Sequence, residues 1–200
     1  MTENKMPKTL QNSIILVGIK HCGKSTQGKA LAKHFNCFFF DTDDLIEQTT
    51  GKTPRQIFQE QGQEGFMNAE YQACQTLAEK KLPAVIATGG GICNNQKAVE
   101  TLKKLGGTII FLEAEEKTAA DRIVREAVFE NGNLTNIPAY IAKKNPHTLQ
   151  DVRTIFHEFY EQRCKQYKKI ADIVANVAAV PITENTQHIL QLLAATSAAT

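Results

Sequence analysis

Residues 13–26 read Ser-Ile-Ile-Leu-Val-Gly-Ile-Lys-His-Cys-Gly-Lys-Ser-Thr, and no other stretch limits the fold of this chain so tightly. A short apolar run ends in a loop that fits G-x-x-x-x-G-K-[ST] at every position, and amphipathic helical spacing follows it. Gly18 and Gly23 let the backbone curl until successive N–H groups converge on phosphate oxygens. The helix that begins near Lys24 adds its positive dipole end. Lys24 can bridge a β- and a γ-phosphate, and the Ser25 hydroxyl can take a position on Mg²⁺. Gly18, Gly23, Lys24, Ser25 and Thr26 are therefore the nucleotide-binding candidates, and a nucleoside triphosphate is the expected ligand. A chance glycine-rich turn is the bland alternative, which the strand before and the helix after argue against.

Two hundred residues suit one α/β domain with a real core and leave little room for a separate substrate domain, so a single domain over 1–200 is expected. Net charge is +2 with acids and bases interspersed, which marks neither a nucleic-acid nor a membrane surface. The basic pairs Lys103-Lys104, Lys143-Lys144 and Lys168-Lys169 read as solvated helix faces. Cys22, Cys37, Cys74, Cys93 and Cys164 form an odd set without metal-ligand spacing, and no hydrophobic signal segment precedes the first strand. Reduced thiols in a cytoplasmic protein are expected. Cys22 reads as a filler of the loop, with a reactive thiol as the alternative.

Strand and helix patterns then alternate along the chain. Ser13–Val17 is the first strand, followed by a helix from about Lys24 to Phe35. Cys37–Phe40 is a continuous apolar run, read as a second strand covered on both faces. A helix from Asp44 to Thr50 stops at Gly51. A short helix over Arg55–Gln61 starts after Pro54, and Gly62 and Gly65 separate it from a long helix over Phe66–Lys81. Ala84–Thr88 is the third strand, Gln96–Leu105 a helix, Thr108–Leu112 the fourth strand and Glu116–Glu126 a helix. Asn131–Pro146 lacks periodicity and reads as a mobile segment. A helix over Thr148–Lys168, a fifth strand at Ile173–Val177 and a terminal helix at Thr186–Leu193 complete the pattern, with 1–10 and 194–200 expected to be loose.

Such alternation implies crossover connections and a three-layer α/β fold, a five-stranded parallel sheet with helices on both faces. Ligands of these sheets sit outside the carboxyl ends of the strands. That rule brings together the phosphate loop, Asp41 and Asp43 after the second strand, and Gly89-Gly90-Gly91 after the third. One of the two carboxylates can hold Mg²⁺ as the γ-phosphoryl moves, and the other can accept the proton of an attacking hydroxyl. Helix capping is the plainer use of acids at these positions, but their place beside the phosphate loop favours chemistry. Three consecutive glycines after a strand point to backbone contact with a small polar substrate rather than to a mere flexible turn.

The ordered set resembles the shikimate kinase family from about Ser13 to Val177. Beyond the phosphate loop it includes Asp41-Thr42-Asp43-Asp44-Leu45-Ile46-Glu47-Gln48, Thr50-Gly51, Ile57-Phe58, Gly62-Gln63-Glu64, Phe66 and Glu70. Thr88-Gly89-Gly90-Gly91, Phe111-Leu112-Glu113, and Arg163 with Tyr167 complete it. The resemblance implies a nucleoside-monophosphate-kinase-like P-loop fold with a lid at about 127–147. It implies ATP-dependent phosphorylation of one hydroxyl of a small polyol acid, first of all shikimate to shikimate 3-phosphate in aromatic amino acid biosynthesis. ATP and Mg²⁺ are the implied cofactors, a small-molecule acceptor the partner, and a monomer is expected. On the matching positions Asp43 holds the acceptor hydroxyl, with Lys24 the catalytic pair, and Asp41 assists the metal beside Ser25. Gly89, Gly90 and Gly91 contact substrate, Arg163 binds its carboxylate, and Arg122 packs on adenine.

Two positions depart from the family. Met67 stands where an arginine usually follows the Phe of a G-x-x-x-F-R segment, and Ile137-Pro138-Ala139-Tyr140 stands where the lid usually carries Arg-Pro-Leu-Leu. Losing a charge-assisted bond to the acceptor carboxylate removes about 1.5–3 kcal/mol. Losing a lid cation can remove decades of rate. Lys143, Lys144, Arg125 and Arg153 are the candidate replacements. Two other readings stay open: a related kinase acting on a different polyol or sugar acid, and a nucleotide-binding protein that has lost its chemistry.

Overall fold

The apolar run before the phosphate loop forms β1 (Ile14–Val17), every residue of it buried, in a computed structural model that describes residues 10–130 and 132–198. Burying four such side chains contributes roughly 1.5–3 kcal/mol each relative to leaving them in water. The strand lies at the centre of a parallel sheet of order β2-β3-β1-β4-β7, with β2 (Phe38–Asp41), β3 (Ala84–Ala87), β4 (Thr108–Ala114) and β7 (Ile173–Val177). In register, Ile15 lies between Ile86 and Ile109, so the strand ends that follow Val17, Asp41 and Ala87 share one rim. This is the three-layer α/β architecture expected from the alternation.

Helices α1 (Lys24–Phe35), α2 (Thr42–Thr50), α3 (Pro54–Lys80), α4 (Gln96–Lys104), α5 (Glu116–Glu126), α7 (Leu149–Ile170) and α8 (Ile182–Ala198) flank the sheet. A 3₁₀ turn at Ile92–Asn94 follows the glycine run. Close approach of α1 to β2 depends on Gly28, where a β-carbon would come within 2.4 Å of the Phe39 ring. That contact brings the first turn of α1 to the end of β2.

Four expectations are corrected. β2 is an edge strand, with Phe38 63 % exposed, because its only sheet neighbour among the described residues is β3; the apolar run is half covered rather than doubly covered. The helices before and after Gly62 and Gly65 are one helix, α3, bent at Gly62 (φ 70°, ψ −164°), while Gly65 is helical and lies against the Gln61 side chain. Its start is fixed by more than Pro54: the Thr53 hydroxyl accepts from the Gln56 N–H while the Gln56 side chain accepts from the Thr53 N–H. The segment read as irregular carries a hairpin of β5 (Val128–Glu130) and β6 (Asn133–Thr135) and a one-turn helix α6 (Ala139–Ala142). Ile137 and Ile141 are buried beneath it, an anchoring too short in sequence to show a period. Finally, α8 runs on through Ala194–Ala198, whereas residues 1–9 and 199–200 of the expected loose ends, and Asn131 of the expected mobile segment, lie outside the described residues.

Candidate active site

The loop after β1 closes around the ammonium of Lys24, which is buried and donates to the carbonyls of Gly18 at 2.9 Å and Ile19 at 2.8 Å. Gly18 and Gly23 take φ of 150° and 98°, conformations that an L side chain would strain. Cys22 is buried with its Sγ 3.8 Å from the same ammonium, and the five cysteines are free thiols. The exposed first turn of α1 presents Ser25 and Thr26. From α5, Arg122 donates to the His21 carbonyl at 2.6 Å, tying that helix to the loop. The His21 ring lies 3.3 Å from Glu126, and burial together with Lys20 lowers its pKa, which favours the neutral ring.

Facing the loop stands the end of β2. The Ser25 hydroxyl donates to one oxygen of Asp41 at 2.7 Å, and the other oxygen accepts the Asp43 N–H at 3.1 Å. Asp41 therefore does both things its sequence position allowed: it caps α2 and it reaches the phosphate loop. A hydroxyl and a carboxylate at this separation, in front of converging N–H groups, form a donor set suited to Mg²⁺, which prefers one or two protein oxygens besides phosphate. Thr42, fully buried, accepts the Gly89 N–H at 2.9 Å and so locks the start of α2 to the glycine turn.

Two buried carboxylate oxygens, Oδ1 of Asp43 and Oε1 of Glu70, have no hydrogen-bond partner among the described residues. Both converge on Gly89: a β-carbon there would lie 2.9 Å from the first and 3.2 Å from the second. Burial, then the neighbouring Asp41 charge, raises the Asp43 pKa to about 6, with Lys24 pulling the other way. Burial likewise raises Glu70 to about 7, opposed by a hydrogen bond from Asn95. That Asn95 amide donates both to Glu70 Oε2 at 3.0 Å and to the Met67 carbonyl at 2.7 Å. Orphaned acceptors in so dry a place are costly unless a ligand supplies their donors.

The cavity between these walls has a volume of about 390 Å³, the size of a small-molecule site. Gly23, Lys24, Ser25 and Thr26 from the phosphate loop line it together with Asp41, Asp43 and Gly90 from the strand ends, and Arg122 and Lys20 line it as well. Gly18 and Gly89 do not line it. Gly91 faces Phe66. Arg163, from α7, donates to Cys93 Sγ at 3.2 Å, and the Asn94 carboxamide oxygen turned toward it accepts at 2.6 and 2.9 Å. Its charge acts on Glu70, and Arg163 does not itself line this cavity. The Tyr167 hydroxyl donates to the Gly90 carbonyl and steadies the turn. Glu70 and Thr42 were visible in the sequence only as parts of motifs, and Asn95 and Lys20 carried no signal, since each matters through contacts distant in the chain. Among the described residues no helix is long and apolar enough to cross a membrane.

Comparison with known proteins agrees with this arrangement. Residues 20–194 match the family described as Shikimate kinase. Shikimate kinase of Clostridium botulinum (strain Eklund 17B / Type B) is 38 % identical over 147 residues, 70 % of this chain and 87 % of that protein. Shikimate kinase of Francisella tularensis subsp. holarctica (strain FTNF002-00 / FTA) is 30 % identical over 162 residues, 81 % of this chain and 83 % of that one. The structure of shikimate kinase from Acinetobacter baumannii in complex with shikimate superposes with a TM-score of 0.74 at 27 % identity, covering 92 % of this chain and 94 % of that one. The family match spans most of the chain and these relatives are covered over most of their own length, so the chain belongs to the shikimate kinase family.

Proposed function

We propose that this protein transfers the γ-phosphoryl group of ATP to the 3-hydroxyl of shikimate, with Mg²⁺ as cofactor, in aromatic amino acid biosynthesis. The observation that carries the reading is the buried oxygen of Asp43, without a hydrogen-bond partner among the described residues, on a small cavity that the phosphate loop also lines. Family membership supports it, as does a related structure solved with shikimate bound.

Asp43 accepts the acceptor's hydroxyl proton as the oxygen–phosphorus bond forms. The bond from the γ-phosphorus to the bridging oxygen breaks, and its electron pair leaves with ADP. Lys24 and the loop N–H groups hold the phosphates, and Ser25 and Asp41 are the protein oxygens that hold Mg²⁺. That ion, when bound, neutralises the charge of the polyphosphate. Gly89, Gly90 and Gly91 admit the acceptor close to the backbone, Arg163 attracts its carboxylate, and Arg122 packs on adenine. Residues 127–147 serve as a lid on a single domain spanning the chain. Val128 and Phe129, 44 % and 57 % exposed on the hairpin, are apolar surface that closure would cover. A monomer in the cytoplasm with no nucleic-acid partner fits the five free thiols and the weak net charge.

Shikimate-dependent release of ADP tests the reading, and absence of turnover at millimolar shikimate contradicts it. Met67, uncharged where a second carboxylate-binding arginine was expected, favours a second reading with another acceptor. Thermal-shift screening of sugar acids and polyols with ADP separates the two, since stabilisation by shikimate alone rules the second out.

A further inference from the structure

The transferring phosphoryl group carries negative charge that a cation must meet, and every cation considered from the sequence is engaged elsewhere or off the cavity. Lys144 pairs with Glu158, and Arg153 with Asp121 at 2.6 Å. Lys143 lies over the Phe58 ring, 4.8 Å from its centre. Arg125 is exposed on the last turn of α5 and does not line the cavity. Ile137, at the lid position where arginine was expected, is buried and cannot face a phosphate. Arg122 already donates to the loop at His21, and Lys24 to Gly18 and Ile19.

One lysine lines the cavity with no ion pair or hydrogen bond from its side chain among the described residues: Lys20, within the phosphate loop itself. Its backbone nitrogen lies 3.0 Å from where a β-carbon would sit on Gly90, so it stands at the seam between phosphate loop and acceptor turn. Its charge acts on Asp43 across that seam. Its side chain is exposed and long enough to swing toward either wall.

We propose that Lys20 is the cation that meets the γ-phosphoryl group in flight, doing from the phosphate loop what an arginine does from the lid. This rests on the reading above that ATP is the donor. The loop then contributes two lysines with divided work: Lys24 holds phosphates in the ground state, and Lys20 binds most tightly when the phosphoryl is between bridging and acceptor oxygens.

The test compares wild type with Lys20→Met and Lys20→Arg. In Lys20→Met, kcat for shikimate phosphorylation should fall about 10²-fold, with the ADP dissociation constant and the ATP KM little changed; Lys20→Arg should restore most of the loss. In the presence of Mg²⁺ and ADP, aluminium fluoride, a planar mimic of the phosphoryl in flight, should tighten ADP binding in wild type and in Lys20→Arg but not in Lys20→Met. Undiminished kcat in Lys20→Met overturns the proposal, as does a rise confined to the shikimate KM or an equal loss of ADP affinity. Thermal melts of Lys20→Met and Lys20→Gln guard against a folding defect. Should wild type fail to turn over shikimate, the acceptor assignment falls, while the aluminium fluoride comparison, which needs no acceptor, still decides the role of Lys20.

Discussion

At Asp43, burial and the Asp41 charge raise the carboxyl to about 6, still low enough to be ionised at neutral pH and basic enough to take a proton. Shikimate-dependent kcat/KM should therefore fall as pH drops through about 6, read from a pH–rate profile; a flat profile down to pH 5 would exclude Asp43 as the base. Glu70 carries a different consequence. Its pKa rises from the ordinary 4.5 to about 7, so the folded protein holds that proton more tightly than the unfolded chain. The corresponding stability is fully present below about pH 4.5 and is lost as pH climbs to about 7. Glu70→Gln should remove this slope and stabilise the ligand-free protein above pH 7 by up to roughly 3 kcal/mol, measured by urea unfolding across pH; parallel profiles for the two proteins would contradict it. Sequence reasoning reached Asp41, Asp43 and the glycines because they follow strands and share a rim. It gave Glu70 no role, since a helix interior says nothing of which strand end its side chain will meet.

On the scale of elements, β1 was legible to within one residue and α1 to the residue, because an all-apolar run, a fixed loop motif and a helix leave few options. α3 was not. Two glycines read alike in sequence, yet only Gly62 takes a conformation nearly closed to other residues, while Gly65 is small to let the bend close on Gln61. Gly62→Ala should destabilise the protein by about 1–3 kcal/mol with ATP KM unchanged, by denaturant unfolding; unchanged stability would mean that the bend relaxes freely. The hairpin and α6 escaped periodicity because three- and four-residue elements end before a period can repeat. β2 escaped because an apolar run does not say whether one neighbour or two will pair with it.

For the molecule as a whole, phosphate loop and acceptor turn line one cavity and are joined through Asp41 and Thr42, and the segment 127–147 is the proposed lid. If that segment closes to exclude water, ADP, Mg²⁺ and shikimate together should slow its cleavage by a protease, and none alone should do so fully. Unchanged cleavage would remove the lid. The opposition of the two walls is tested most directly by single-turnover phosphoryl transfer from ATP to shikimate in wild type and Asp43→Asn, with ADP affinity measured on the same samples. Transfer should drop by about 10²–10⁴-fold while ADP binds as in wild type. Near-normal transfer in Asp43→Asn, or loss of ADP affinity in step with transfer, would contradict the account.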